Sequence, residues 1–515
     1  MDPTHWKEVE ENLNSFFGTV SDQCQAVLSL SYTYLPQYLK ACFLYVGGFP
    51  EDTEIGVSKL TSLWIAEQFV KARSCKKLEL VAEEYLKELI DRNLILVGRR
   101  GANGRMKTCK IHDLLRKLCI REANSENVWH VISNINVPRR VIANFFRDGC
   151  RLHRLRPENG TMSTVRSFIY LRMSSSYGDN FFESYPCDSH FKLLKVLEAS
   201  QIRCDFSNVI TQLVHLRYVA AYIGQDLPCS IAKLWNLQTL VICPIQDIRQ
   251  GWLVSPGFWT MPRRAPYIPL EIWNMSQMRH LNMGVMYMPN PLVAEIHSTG
   301  GKRLFLNNLH TLVLRSSFHL KEILLRTPSL NKLRILSIEF VAEWSQILCS
   351  VINLEELGIL DIHASSNCPL LHLPRDRDVF PPSLRRLRFS ATRIPWEDMI
   401  MLANLPNLEV LKIDNASEGT YWILNEEAVF QKLKYLRIGY TNLEKWQATR
   451  DNFPMLEQLV LRGCGKLEEI PQSIGEIMTL KTIQLDECNP AVETSAKQIQ
   501  EDQQSWGYYE LEVHC

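Results

Sequence analysis

Leu456-x-x-Leu459-x-Leu461-x-x-Cys464-x-x-Leu467-x-x-Ile470-Pro471-x-x-Ile474 is the stretch whose reading decides the fold. Alternation puts Leu459 and Leu461 on the same side of a short strand, where both can be buried. Cys464 follows as a small, nearly apolar side chain suited to an interior. Ile470-Pro471-x-x-Ile474 then turns the chain, because proline fixes its own φ and has no N–H to give a ladder. One such unit buries too little surface to fold alone.

Outward from this unit, the hexapeptide apolar-x-x-apolar-x-apolar recurs. It begins at Leu194, Leu216, Leu237, Met278, Leu309, Leu333, Leu354, Leu384, Leu408, Leu433, Leu456 and Leu480. Most steps are 21 to 25 residues, inside the leucine-rich-repeat period of ~20–29. Longer steps after Leu237, Met278 and Leu354 mark insertions or degenerate units. The proline turn recurs as Leu227-Pro228-x-x-Ile231 and Ile268-Pro269-x-x-Ile272. A generic leucine-rich helical array fits these spacings less well. The expected fold class is therefore an α/β leucine-rich-repeat solenoid over 161–490, with a C-terminal tail over 491–515.

Stacked units of this kind form a ribbon whose strands line a concave side, and their outward residues vary without touching the core. Such a surface suits protein recognition and offers no enclosed pocket for small-molecule chemistry. No nucleophile, base or metal set can be named, so an enzyme is not expected. Between the second and third apolar positions, three successive units carry Arg388, Lys412 and Arg437. Equivalent residues on parallel strands stack ~4.8 Å apart, which predicts a basic column on the concave side. Arg385 and Arg386 widen it, and Glu355 and Glu356, read as matching positions of the neighbouring unit, neutralise one edge. The column suggests an acidic protein partner; a merely solvated charged face is the alternative. Exposed in this way, the three cations should tolerate reversal to Glu with little loss of stability. Gly251 to Tyr267 interrupts the repeat with Trp252, Phe258 and Trp259 among Pro256, Pro262 and Pro266, either an interface loop or packing at the solenoid edge.

Composition narrows the remaining classes. Lys and Arg number 57 and Asp and Glu 56 over 515 residues, so bulk charge does not favour nucleic acid or anionic lipid. No run approaches the ~18 apolar residues of a membrane span. The start, Met1-Asp-Pro-Thr-His-Trp, is too acidic and interrupted for a secretory signal. That argues against an extracellular receptor despite formal glycosylation sites at Asn159, Asn274 and Asn415. The 15 scattered cysteines include no CxxC pair, which fits reduced thiols in the cytoplasm rather than a metal site.

Residues 21–130 read as a mostly α domain before the repeats, preceded over 1–20 by the remnant of an upstream helical module and followed over 131–160 by a linker. Ser21 can cap a helix through Val27, Leu28 and Leu30; Pro36 opens one through Leu39, Cys42 and Phe43; Ser58 caps one through Leu60, Leu63 and Trp64. Val81, Tyr85, Leu86 and Leu89 repeat at helical spacing. Leu94 to Val97 and Met106 to Ile111 flank Gly101-Ala-Asn-Gly104 as a hairpin. His112-Asp113 then leads into a helix through Leu114, Leu115 and Leu118, with Asp113 a candidate N-cap. Helices followed by a two-stranded wing make a winged helix. A DNA-reading helix needs basic and amide side chains facing the groove, yet the helix after Ser58 offers only Lys59 and should expose Glu67. Arg99, Arg100, Arg105 and Lys107 of the wing are as readily solvated, and nucleic acid is not expected as a partner.

Tyr34-Leu35-Pro36, Leu39-Lys40-x-Cys42-Phe43-Leu44-Tyr45, Phe49-Pro50-Glu51-Asp52 and Leu63-Trp64-Ile65-Ala66-Glu67 resemble plant intracellular immune receptors of the coiled-coil, nucleotide-binding, leucine-rich-repeat type, most like the late-blight-resistance group of the nightshade family. Ile111-His112-Asp113 falls where that family carries Met-His-Asp. The resemblance spans essentially the whole chain. It implies a winged helix of NB-ARC type and an ADP/ATP-controlled switch. In that switch His112, with Asp113, senses nucleotide and holds the closed state, and the repeats recognise a pathogen effector, a guarded host protein or the receptor's own nucleotide-binding module. It also implies a cytoplasmic or membrane-peripheral location. The family's coiled coil and nucleotide-binding core have no counterpart here. No G-x-x-x-x-G-K-[ST] occurs, since Gly463-Cys464-Gly465-Lys466 is followed by Leu467. The expectation is a truncated receptor that binds no cofactor itself. A substrate adaptor of a ubiquitin ligase, or another interaction scaffold without an immune role, is the alternative.

Overall fold

The computed structural model describes residues 28–72, 76–101, 104–125, 130–131, 140–145, 165–172, 191–200, 206–223, 226–243, 267–284, 286–297, 303–374 and 379–515. The expected helix cap at Ser21, the upstream segment 1–20, the aromatic insertion up to Pro266, Asn159 and most of 131–160 lie outside the described residues. The chain forms two compact units. The first comprises Met1–Gly101, Arg105–Cys204 and Gln212–Ala221; the second comprises Ala102–Gly104, Asp205–Thr211 and Tyr222–Cys515.

The first unit opens with the winged helix. After helical residues 28–33, its helices include α1 (Gln37–Val46), α2 (Val57–Ala66), α3 (Leu78–Asp91) and α4 (Asp113–Ser125). Val81, Ala82, Tyr85, Leu86 and Leu89 put one face of α3 into the core, as their spacing requires. Leu39, Phe43, Leu60, Leu63 and Trp64 complete that core with no exposure. Gly47 ends α1 where a Cβ would come within 2.1 Å of Cys119 on α4, so the two helices meet only because a side chain is missing there.

The wing differs from a simple hairpin. Strands β1 (Ile55–Gly56), β2 (Leu96–Val97) and β3 (Thr108–Lys110) form an antiparallel sheet in the order β1-β3-β2. A strand as short as β1 carries no alternation to read. It also displaces the expected cap, since α2 starts at Val57 and no side chain caps it. Asp113 likewise sits inside α4, while the carbonyl of His112 accepts from Arg116 N–H at 2.9 Å. His112, not Asp113, is the cap residue.

Parallel strands then begin within the first unit. His130–Val131, Arg140–Phe145, Ser167–Arg172, Val196–Ala199 and Tyr218–Tyr222 pair in sequence. Arg140–Phe145 falls inside the stretch expected to be a linker, and His130–Val131 straddles its start. Neither contains a leucine hexapeptide, but backbone pairing does not require one.

The second unit continues the pattern from Thr239–Cys243 to Thr482–Asp486 as parallel neighbours. Leu387, Leu411, Leu436, Leu459 and Ile483 occupy one register row, all fully buried. Each of the three proline turns becomes a short 3-10 helix, at Cys229–Lys233, Leu270–Asn274 and Gln472–Glu476. On the far side of the strands Trp396, Trp422 and Trp446 stack with centroids 4.8 and 5.5 Å apart.

The segment expected as a tail is structured. Asn489 caps a helix over Pro490–Ser505, its side chain accepting from Ala491 N–H at 3.1 Å. Val492, Ala496 and Ile499 face the last turn of the solenoid, and Gln503 donates to the Gly475 carbonyl at 2.8 Å. Glu512–His514 adds a further parallel strand beside Thr482–Asp486. The segment lacks the leucine hexapeptide, so no repeat period signals its amphipathic helix; such an element covers the open end of a repeat stack.

Candidate functional site

The outward face of the second unit is built from register. Arg388 stands opposite Lys412, and Lys412 opposite Arg437, as equivalent repeat positions must. Extended in the other direction, the same row passes through Asp361 and Arg334. Across the five strands from Lys332–Ile338 to Tyr435–Gly439, the outward cations are Lys332, Arg334, Arg386, Arg388, Lys412 and Arg437. The outward carboxylates are Asp361 and Asp414.

Both aspartates are almost fully buried and each holds two arginines. Asp414 lies 3.0 Å from Arg388 and 2.8 Å from Arg437. Its register neighbour is Gly439, where a Cβ would approach the Asp414 carboxylate to 3.0 Å; glycine there leaves the acid its space. Asp361 lies 2.9 Å from Arg334 and 3.5 Å from Arg386. Lys412 is only 8% exposed, and its ammonium sits 4.8 Å from the centre of the Tyr435 ring. The three-cation column is thus set into the face and clamped from beneath. Reversal of all three to Glu would set new carboxylates against buried Asp414, so the expectation that stability would be unaffected fails.

Glu355 and Glu356 do not play the part expected of them. Leu354, Leu357 and Leu360 are all leucine, so the hexapeptide fits at either of two offsets. Hydrogen-bonded register selects the later one, with Leu360 opposite Leu387 and Ile359 opposite Arg386. The two glutamates are exposed in the turn before that strand, while Asp361 takes the column position. Leu330, Leu333 and Leu336 create the same ambiguity one repeat earlier, where Leu333 is the second apolar position rather than the first. Arg385 is exposed at the edge of the face and Arg386 is half-buried.

Crowded charge shifts the titrating groups. Burial works to raise the Asp361 carboxyl, but Arg386 and Arg334 outweigh it and hold it below the usual carboxylate range. Burial, then Arg334, lowers the Lys332 ammonium. Burial foremost, then Arg388 and Arg334, push the His363 imidazole down to about 4. Burial dominates the Lys332 and His363 shifts, with the neighbouring arginines adding to it; at Asp361 the arginines prevail over burial.

His112 and Asp113 stand apart from this face, at the start of α4. The His112 Nδ1 lies 2.5 Å from the Asp113 carboxylate, and both side chains are substantially exposed. Leu114 N–H reaches Asp113 at 2.7 Å and His112 Nδ1 at 3.3 Å. The pair forms a local helix-start structure, and a phosphate would find no backbone cradle from a phosphate-loop motif in this sequence. Gly463, in the nearest sequence approximation to such a motif, has φ +59 at a strand end, with Cys464 and Leu467 fully buried. These residues do not fit an ADP or ATP site on their own.

A site that the sequence did not reveal lies in the first unit, on α2, the helix that would read DNA in a winged-helix DNA binder. Glu67, expected to be exposed, is buried and accepts a hydrogen bond from Ser167. Lys59 reaches the buried Glu198 at 3.1 Å, and Tyr218 donates to the same carboxylate at 2.7 Å. Lys195 donates to Gln68 at 3.1 Å. The first repeat strands cover the polar edge of α2, leaving no free face there for a nucleic-acid groove. In the wing, Arg99 is paired with Glu54.

Comparison with known proteins agrees with this architecture. Residues 49–119 match the disease resistance protein winged helix domain, and residues 164–502 match a leucine-rich repeat region family. A late blight resistance protein of Solanum demissum is 32% identical over 527 residues, covering 97% of this chain and 38% of its own. A putative late blight resistance protein homolog of the same species is 32% identical over 518 residues, covering 97% and 36%. The chain therefore spans little more than a third of the length of these relatives. An internalin from Listeria monocytogenes aligns over 69% of this chain and 81% of its own at 14% identity with a TM-score of 0.35, a likeness too slight to add to the assignment. No described helix is long and apolar enough to cross a membrane. With the winged helix, the repeat ladder and relatives along nearly its whole length, the chain belongs to the leucine-rich-repeat family of plant disease-resistance proteins.

Proposed function

We propose that this chain is the recognition part of a plant innate immune receptor and binds an acidic protein surface on the outward face between Lys332 and Gly439. The observation that carries the reading is the imbalance of that face: six cations against two carboxylates, both carboxylates buried beneath the arginines they hold. Excess half-buried charge steers an oppositely charged partner and sets its register. The partner is a pathogen effector, a guarded host protein or the receptor's own nucleotide-binding module. A cytoplasmic setting suits the cysteines, since Cys42, Cys109, Cys119, Cys368 and Cys464, among others, are free thiols.

The test is a pull-down of that nucleotide-binding module at two salt concentrations. Lys412→Met and Arg385→Gln remove charge without setting a new acid against Asp414. Recovery should fall in the double variant and fall for wild type as salt rises, because exposed charge pairs are screened over ~8–10 Å. Equal recovery throughout would show that the face is only solvated.

His112 and Asp113 are proposed to regulate the closed state only in the setting of a whole receptor. Asp113→Val removes the carboxylate that holds both His112 and Leu114 N–H, and grafted into an intact receptor it should favour the active state. A folded, expressed but silent graft would count against this role. The chain itself is proposed to bind neither ADP nor ATP, and micromolar binding by titration calorimetry would overturn that.

A further inference from the structure

Beside the basic columns lies a cavity of about 440 Å³ at the ends of neighbouring repeats in the second unit. Tyr267, Tyr287, Phe318 and Phe340 wall it, each roughly half exposed. The Phe318 and Phe340 rings stack with centroids 5.8 Å apart. Arg315 lies 4.9 Å over the Tyr287 ring and pairs with Glu339 at 2.6 Å, and the second lining carboxylate, Glu343, accepts from Glu339 N–H and Phe340 N–H at 2.9 and 3.3 Å, so both carboxylates are already engaged. Ser316 and Ser317 also line the cavity. They are 1% and 9% exposed, and neither hydroxyl has a hydrogen-bond partner.

Aromatic faces left open to water together with buried hydroxyls left unpaired make an unusual combination. The cavity borders both serines, yet no described protein group pairs with either hydroxyl. A ligand that satisfies both must bring an apolar ring and a polar tip. Among protein side chains, tyrosine has that chemistry.

The cavity also has a fixed relation to the cations. Ser337 lines it and lies three residues beyond Arg334 on the same strand, past the bulge between Ile335 and Ile338, so at most ~10 Å at ~3.3 Å per residue. A segment lying extended over the face would span the same distance in about three residues.

We infer that the cavity and the adjoining basic columns form one composite site for an extended acidic protein segment, with a tyrosine seated in the cavity about three residues from the acidic residues that meet Arg334 and its neighbours. This rests on the proposed acidic partner and adds the anchor that fixes its position. Aromatic anchors in pockets commonly dominate interface energetics, while the surrounding charges set orientation.

The probe is a fluorescein-labelled peptide with one tyrosine three residues from a pair of aspartates in a glycine-serine sequence, titrated onto the full chain by fluorescence anisotropy. Replacing the tyrosine by alanine should abolish measurable binding. Replacing it by phenylalanine should weaken binding about tenfold, equivalent to ~1.4 kcal/mol. That phenylalanine penalty should disappear on Ser316→Ala Ser317→Ala, which keeps the ring walls and removes the hydroxyls. Phe318→Ala should weaken the tyrosine peptide and leave a tyrosine-free aspartate peptide unaffected. Equal binding of tyrosine and alanine peptides, with both weakened by Lys412→Met, would overturn the composite site while sparing the acidic-partner reading. Binding that ignores the aspartates as well as Lys412 would overturn both.

Discussion

The two units use charge in opposite ways. In the first, each charge meets a partner of opposite or neutral character: Lys59 and Tyr218 with Glu198, Glu67 with Ser167, Lys195 with Gln68. In the second, Asp361 and Asp414 each hold two arginines, with Lys332 and Lys412 among them. The first arrangement closes a surface, since Lys59, Glu67, Glu198 and Lys195 each meet a neighbour across it. The second leaves a surplus of positive charge facing outward. A winged helix followed by repeats thus contains, among the described residues, a sealed polar seam and an open polar face.

The strongest way to break this contrast is Asp414→Ala. It leaves Arg388, Lys412 and Arg437 crowded without their acid and should cost ~3–5 kcal/mol in urea unfolding. Adding Arg437→Met should recover part of the loss. If Asp414→Ala is neutral, the acid does not clamp the column.

In the first unit, Glu198→Ala should cost about 1–3 kcal/mol, because it strands Lys59 and the Tyr218 hydroxyl. Combined with Lys59→Ala, the two losses should fall short of additive by at least ~0.5 kcal/mol, the sign of direct coupling between contacting groups. Strict additivity would mean that the seam is not a pair.

Acid should distinguish the units as well. The folded pKa of His363, about 4, lies below its ordinary value of 6.5, so the unfolded chain binds more protons between those values. Stability is therefore full above pH 6.5 and declines as pH falls toward 4, by on the order of 3 kcal/mol. Asp361 is also depressed, but its loss begins only below its ordinary value of 3.8. His363→Gln should flatten the upper window and leave the lower one. An unchanged pH profile would place His363 outside the charged cluster.

Lys412→Met should change stability by less than about 1 kcal/mol, since a nearly buried charge is exchanged for an apolar chain of similar length, even as it weakens the acidic partner. Ser58→Ala should have the smallest effect, within ~0.5 kcal/mol. Its side chain is exposed and caps nothing; a loss of a full cap's worth, ~1 kcal/mol, would restore the helix start read from sequence.

The register of the face shows how far sequence reading reached. Where leucines alternate with variable residues, as in Leu384-x-x-Leu387-x-Phe389, one alignment satisfies the pattern, and Arg388, Lys412 and Arg437 were placed correctly side by side. Where leucine recurs every third position, as at Leu354, Leu357 and Leu360, two alignments satisfy it equally. The choice moved the acidic position from Glu355 and Glu356 to Asp361. Glu67 was misplaced for a different reason: its partner Ser167 is a hundred residues away, and no local period signals it.

The sequence by itself determined the ladder, the three proline turns, the winged helix and the family, because each follows from local periodicity or from motifs in order along the chain. Tertiary structure alone decided which charges are answered. Asp414 and Asp361 look like ordinary strand-end and mid-strand acids until neighbouring strands set two arginines against each, and Ser316 and Ser317 look like turn residues until packing buries their hydroxyls without partners. Burial and pairing depend on distances between residues remote in sequence, and those distances exist only once the strands are in register.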